Sequence, residues 1–347
     1  MAVAAAPSAQ TDPRAGLAAQ AAWQALDAGQ MEAAASAFRD AIALDPKNPR
    51  LHVGAAVAAY ALRRDVDART AVDRALSLDP SRPDARELLG RLLYRAGDLN
   101  GAILVFTALS GDAARGPSVT DTLERWRREA ELRDRMHVTV GGGFTVSFEG
   151  PEDAQLAERA LASVERAAAR ISDVLSHYPT APIAVVLYTT EQFRDITRAP
   201  PWAGGAFDGI IRVPMGSTRT TAAELDRVLA HEYTHALVHS LAPSGVPAWL
   251  NEGLAAALEI AGRTPAQPDS ALSLAALRQS FHRMSGKEAR QAYAISAFAV
   301  QRLLDEAGGF ALMNLLRDLG EGADFETAFA HRLQRSVADF EASLNHP

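Results

Sequence analysis

The chain has 347 residues, 48% hydrophobic and 22% charged, enough for two domains that each bury a core of their own. Its 42 acidic and 35 basic residues leave a net charge of −7, so neither a nucleic-acid groove nor a polybasic membrane patch is expected. No apolar run reaches the roughly 18 residues of a membrane span, and the absence of cysteine excludes disulfides and thiolate metal sites. The stretch Met1 to Gln10 is too short for a signal peptide and has no Lys or Arg before its apolar part. It is compatible with the tail of a leader whose front is missing; a periplasmic or secreted location stays open and no compartment is assigned.

Residues 1–15 are rich in Ala, Pro, Ser and Gln and are expected to be disordered. A 34-residue period follows. It places Leu44-Asp45-Pro46 opposite Leu78-Asp79-Pro80, and it repeats Gly29, Arg63 and Gly97, then Ala34, Ala68 and Ala102, then Phe38, Val72 and Phe106. Leu89-Gly90 stands near the start of the third unit. This pattern resembles the tetratricopeptide repeat, whose unit is a helix hairpin. The resemblance implies an α-solenoid over residues 16–136 that recruits a protein partner. Small Ala positions would let paired helices approach, and the larger side chains would fill between them. The third unit lacks the closing Asp-Pro and runs into Gly111 to Pro117. The Arg- and Glu-rich helix expected over 119–136 reads as a polar cap on the stack.

Composition changes at Val138, and residues 138–347 read as a second domain. Phe144, Val146 and Phe148 alternate with Thr and Ser, as in a strand. A helix is expected from Glu152 to His177, a buried strand over Pro182 to Tyr188, and a short helix over Thr189 to Thr197. The Gly-rich segment from Pro201 to Met215 reads as a hairpin or edge strand. Beyond Leu225 the pattern is helical: 225–241, 247–260, about 270–284, 291–307, 309–319 and 324–344. The fold class is therefore α+β, mostly helical, with a small sheet.

The chemistry centres on His231-Glu232-Tyr233-Thr234-His235. Thr221 is a candidate N-cap with Glu224 three residues on, and Pro243 and Gly245 stop the helix, so the motif falls inside a helix. Residues four apart lie on one face, about 6 Å apart along the axis, so both imidazoles reach one metal ion. Glu232, beside the first His, stands where a general base for an attacking water belongs. Pro247 opens a second helix that carries Glu252, 17 residues after His235. Two His and one Glu form a catalytic zinc set with one open position, which predicts one Zn²⁺ per chain. Glu259 competes with Glu252 as third ligand. Glu252 is preferred because a short turn returns it to the His pair, Gly253 would let the two helices pack closely, and Trp249 would shield the site from water. Glu259 is then a supporting or surface residue, and so is His239. The metzincin pattern is excluded, because Val238 and Leu241 hold the positions where it needs Gly and His.

With these motifs, and with Tyr188, Phe193 and Trp202 to Pro214, the segment from Phe144 to Leu304 resembles the gluzincin metallopeptidases, in particular the bacterial peptidase-MA-like domains often joined to tetratricopeptide repeats. The resemblance implies zinc-dependent hydrolysis of a peptide or protein substrate. Zinc would be bound by His231, His235 and Glu252, and Glu232 would act as base and then as proton donor to the leaving amine. It further implies that an edge strand, here Gly204, Gly205, Ala206 and Phe207, hydrogen-bonds the substrate backbone. Tyr293 would stabilise the oxyanion. Relatives carry a carboxylate four residues after the third ligand to orient the first His. Here that position is Ala256, so the support must come from elsewhere. The competing class is a repeat scaffold that carries an inactive or weakly active peptidase-like domain.

Overall fold

A computed structural model describes residues 13–110, 117–150, 154–201, 203–215, 221–268, 273–278, 281 and 284–345. The chain divides into two compact units, residues 1–124 and 125–347. The division falls inside one helix, Pro117–Arg135 (α7). Residues 1–12 of the stretch expected to be disordered lie outside the described residues, and the first helix begins at Pro13.

The first unit is built from helix hairpins: α1 (Pro13–Asp27) with α2 (Met31–Leu44), α3 (Pro49–Ala61) with α4 (Asp65–Leu78), and α5 (Pro83–Arg95) with α6 (Leu99–Ser110). Each period-34 position has a structural reason. Gly29, Arg63 and Gly97 make the turn inside each hairpin, with φ of 73°, 60° and 84°. That left-handed conformation is free for glycine and costs Arg63 about 1 kcal/mol. Ala34, Ala68 and Ala102 are fully buried, as are Phe38, Val72 and Phe106. Pro49 and Pro83 stand at the first helical positions, where a missing N–H costs nothing. Glycines on the facing helices admit the large side chains: a Cβ at Gly54 would overlap the Phe38 ring, and one at Gly90 the Phe106 ring.

The second unit carries a five-stranded sheet in the order β1-β2-β3-β5-β4. The strand expected from the alternation of Phe144, Val146 and Phe148 is β2 (Phe144–Glu149), and the residues before it form a second strand, β1 (Met136–Gly141), antiparallel to it in a hairpin. Gly142 and Gly143, both at positive φ, form its two-residue turn. Helix α8 (Ala154–Leu175) returns the chain to β3 (Ile183–Thr189), which lies parallel to β2 and to β5 (Ile211–Met215). Between β3 and β5 come α9 (Thr190–Thr197) and the two-residue strand β4 (Ala206–Phe207), which closes the edge antiparallel to β5.

The period of two divides the sheet's side chains. Phe144, Val146, Val185, Leu187, Ile211 and Val213 face the main core shared with α8 and the later helices. Val186 and Tyr188 face a smaller cluster with Leu132 of α7 and Phe193 and Ile196 of α9. The later half of α7 therefore covers a sheet face. The charges read as a solvent-facing cap include Glu129, which is fully buried against Arg212.

Helix α10 (Ala222–Leu241) carries the motif, and Thr221 caps it by accepting the Glu224 N–H at 3.2 Å. Helix α11 (Ala248–Leu258) follows a short turn. The helix expected at about 270–284 is not formed over residues 273–278, which make turns, and part of it lies outside the described residues. The turn has a use: the carbonyls of Leu277 and Arg278 accept the first N–H groups of α11, from Trp249 and Ala248. The helices expected at 291–307 and 309–319 form one element, α12 (Gly286–Gly320), broken at Gly308 (φ 76°, ψ 163°). The C-terminal helix is two, α13 (Phe325–Leu333) and α14 (Val337–Asn345), separated where Gln334 turns left-handed. Among the described residues no helix is long and apolar enough to cross a membrane.

The close approach at Gly90 yields a stability prediction. Gly90→Leu should overpack the α5–α6 contact and cost about 1–3 kcal/mol in denaturant unfolding. Combining it with Phe106→Ala should cost less than the sum of the two single changes, because the bulk of one fills the space left by the other.

Candidate metal centre

The spacing on α10 does locally what it promises. His231 and His235 stand one above the other, with ring centroids 4.9 Å apart. The turn into α11 brings Glu252 across from them. Its Oε2 lies 3.4 Å from His235 Nε2 and 3.7 Å from His231 Nε2. One ligand atom from each of the three residues falls within 4.8 Å of the others. Glu252 Oε2 is buried and accepts no hydrogen bond. A buried carboxylate oxygen without a partner costs several kcal/mol unless a cation meets it. The donor set, two imidazole nitrogens and one carboxylate, is that of a zinc site with an open position, so these residues fit the ion.

The far sides of both rings are held. His231 Nδ1 donates to Glu259 Oε2 at 3.2 Å, and His235 Nδ1 donates to Asn251 Oδ1 at 3.1 Å. Each bond keeps the proton on Nδ1 and turns Nε2 towards Glu252, so that Nε2 is the nitrogen offered to a metal ion once its own proton is displaced. Glu259 thus supplies the carboxylate missing at Ala256, from one turn further along. It is itself held by Arg227 Nη1 at 3.1 Å. The sequence assigned Asn251 no role; its place beside Glu252 was the available signal. Arg227 was also missed, and its only signal is its place four residues before His231.

Burial dominates the electrostatics, and the neighbours decide its outcome. Desolvation alone would lower the His231 pKa, but Glu252, Glu259 and Glu232 outweigh it and push it up to about 10. His235 is raised for the same reasons, with Glu252 the chief partner. Glu252 is held well below the usual carboxylate range: burial opposes this, and the two imidazoles win. Glu232 behaves oppositely, because burial raises it and the imidazoles only partly compensate. In the metal-free protein, protons on the imidazoles balance the acids, so a metal ion must displace them.

The remaining expected residues surround this cluster. Glu232 is 5% exposed and faces the segment that leads into β4: a Cβ at Gly205 would fall 2.6 Å from Glu232 Oε1, and one at Gly204 would fall 3.3 Å from Val228. Only glycine lets that backbone approach so near. Ala206 and Phe207 are the edge strand itself, and the Phe207 ring stands 5.6 Å from that of the exposed His239. The Tyr293 ring lies 6.1 Å from the His231 ring, and burial, followed by Glu252 and Glu232, holds its phenol well above its ordinary pKa. Trp202 lies outside the described residues.

Two expectations are corrected. Trp249 does not roof the site. It packs into the core against Phe325 and Phe340, because its position on α11 faces the C-terminal helices. Gly253 admits α12 and not α10: a Cβ there would meet the Ser296 carbonyl and Val300 at 2.5 Å.

The comparisons with known proteins bear on the first unit. The family model described as tetratricopeptide repeat matches residues 19–83 and again 66–117, the region of the 34-residue period. Tetratricopeptide repeats therefore occupy the N-terminal region. No curated protein matches the chain.

Two measurements check the site's physics. His231 has a folded pKa raised above 6.5, so its contribution to stability is complete below pH 6.5 and is lost as pH rises towards about 10. The melting temperature of chelator-treated protein should fall across that window, and His231→Ala should flatten the fall. Glu259→Ala removes the His231 acceptor. It should weaken zinc binding by about 10–100-fold without abolishing it, as read by competition with a chromogenic chelator.

Proposed function

We propose that the second unit hydrolyses peptide bonds with a zinc ion held by His231, His235 and Glu252, and that the repeats recruit a protein partner or the substrate. The observation that carries the reading is the orphaned Glu252 Oε2 between two imidazole Nε2 atoms whose other nitrogens are already bonded. When bound, zinc supplies Lewis-acid polarisation of the scissile carbonyl and acidifies the attacking water.

The chain's own residues do the rest. Glu232, nearly buried and with its pKa raised, takes the proton of the attacking water and returns it to the leaving amine. Tyr293, kept protonated by burial and by the neighbouring acids, donates to the oxygen on which charge develops. The outer edge of β4 offers its backbone to an extended chain, which would add as another strand beside Glu232.

A second reading has its own support. The similarity found to known proteins lies in the repeats, and it favours an interaction scaffold in which the second unit is inactive or weakly active. Purification without added metal, followed by peptide turnover before and after chelation, separates the two. The hydrolase reading expects about one zinc per chain and turnover that the chelator abolishes. It further expects Glu232→Gln to retain zinc while turnover falls by about 10²–10⁴-fold. A zinc-loaded Glu232→Gln protein with unchanged turnover would refute the base role, and a wild type without zinc or turnover would leave the scaffold.

A further inference from the structure

On the sheet face opposite α10, a second buried charge cluster has no part in the chemistry above. Arg212 of β5 is 2% exposed. Its Nη1 donates to Glu129 Oε1 of α7 at 2.7 Å and to the Tyr188 hydroxyl of β3 at 2.8 Å. Its Nε donates to both carboxylate oxygens of Asp208 at 3.2 Å. Glu129, fully buried, also accepts from Arg133 at 2.6 Å. A buried ion pair is weak grounds for stability, since well-packed apolar residues often do as well; what such a pair supplies best is a fixed arrangement.

The arrangement at stake is the edge strand. Strand β4 has two residues, and its pairing with β5 is Ala206 opposite Arg212 and Phe207 opposite Ile211. So short a ladder holds a strand poorly. Asp208 follows β4 immediately, in the turn that leads to β5, where Gly209 has φ 108°. Arg212 therefore pairs with β4 through its backbone and grips the end of the same strand through its side chain. At the strand's other end, Gly205 lies against Glu232. Ala206 also packs in the small cluster with Tyr188 and Phe193, and Phe207 packs against the main core; the Arg212–Asp208 pair adds a charged tie at the turn.

We propose that Arg212 is a positioning residue: anchored on Glu129 and Tyr188, it clamps Asp208 and so holds β4 at the distance from α10 at which Gly205 meets Glu232 and the strand's outer edge can take an extended peptide. The functional half of this inference rests on the hydrolase reading; the clamp itself does not.

Removing Arg212 would take a countercharge from the buried Glu129 and threaten folding, so the test uses Asp208, 36% exposed at its side chain. In Asp208→Ala, hydrogen exchange across 203–210 should quicken by about tenfold or more, the cost of one charge-assisted bond. KM for a fluorogenic peptide mixture should rise by about tenfold with zinc content unchanged. Asp208→Asn, which keeps an acceptor for Nε, should restore most of both. Exchange and KM in Asp208→Ala equal to the wild type would overturn the proposal. If the wild type binds no zinc and cleaves nothing, the hydrolase reading fails, and the exchange comparison alone decides the clamp.

Discussion

A carboxylate enclosed between two imidazoles governs the second unit. Glu252 cannot sit unpaired at such depth, and neither can the imidazoles beside three acids, Glu232, Glu252 and Glu259, unless cationic charge enters the cluster. Arg227 supplies one positive charge from the side of Glu259. Protons or a metal ion must supply the rest. The raised imidazole pKa values and the orphaned Glu252 oxygen express the same demand, once as a titration and once as a missing bond.

Much of the surrounding fold serves to hold that cluster still. Helix α10 is fastened to α8 through Ser172 and Tyr233, whose hydroxyls lie 2.7 Å apart. Helix α11 is fixed at both ends: the Leu277 and Arg278 carbonyls take its first N–H groups, and Arg170 donates to its Leu258 carbonyl at 2.7 Å, beside Glu259. Along its length Gly253 lets α12 come close, and Trp249 is wedged among the C-terminal aromatics. A helix held at both ends and along its length cannot rotate, so Asn251, Glu252 and Glu259 meet their histidines in one register.

The two units solve different packing problems. In the repeats, side chains of fixed size recur at fixed intervals, and small residues opposite large ones let helices close up within a hairpin, as at Gly90, and between hairpins, as at Gly54. Among its described residues no Asp, Glu, Lys or Arg is buried, and an Arg stands at the turn position where its neighbours carry Gly. In the second unit, charge is buried twice, on α10 and α11 and again around Arg212, and irregular features lie beside those places: the two-residue strand next to Arg212 and the turns that cap the start of α11.

What the sequence determined by itself was whatever local spacing controls. The 34-residue period, the Thr221 cap, the His pair one turn apart, and the strand–helix alternation from Phe144 to Met215 all follow from the rise and turn of a helix or the pleat of a strand. Glu252 was legible because only a short turn separates its helix from α10. Tertiary structure alone decided which residues support the ligands. Glu259 reaches His231 across 28 positions, Arg212 reaches Glu129 across 83, and Arg170 reaches Leu258 across 88. It also decided which faces Trp249 and Gly253 present and where α7 spends its charges. Contacts between distant segments depend on how whole elements pack, and a periodicity within one element carries no record of what will lie against it.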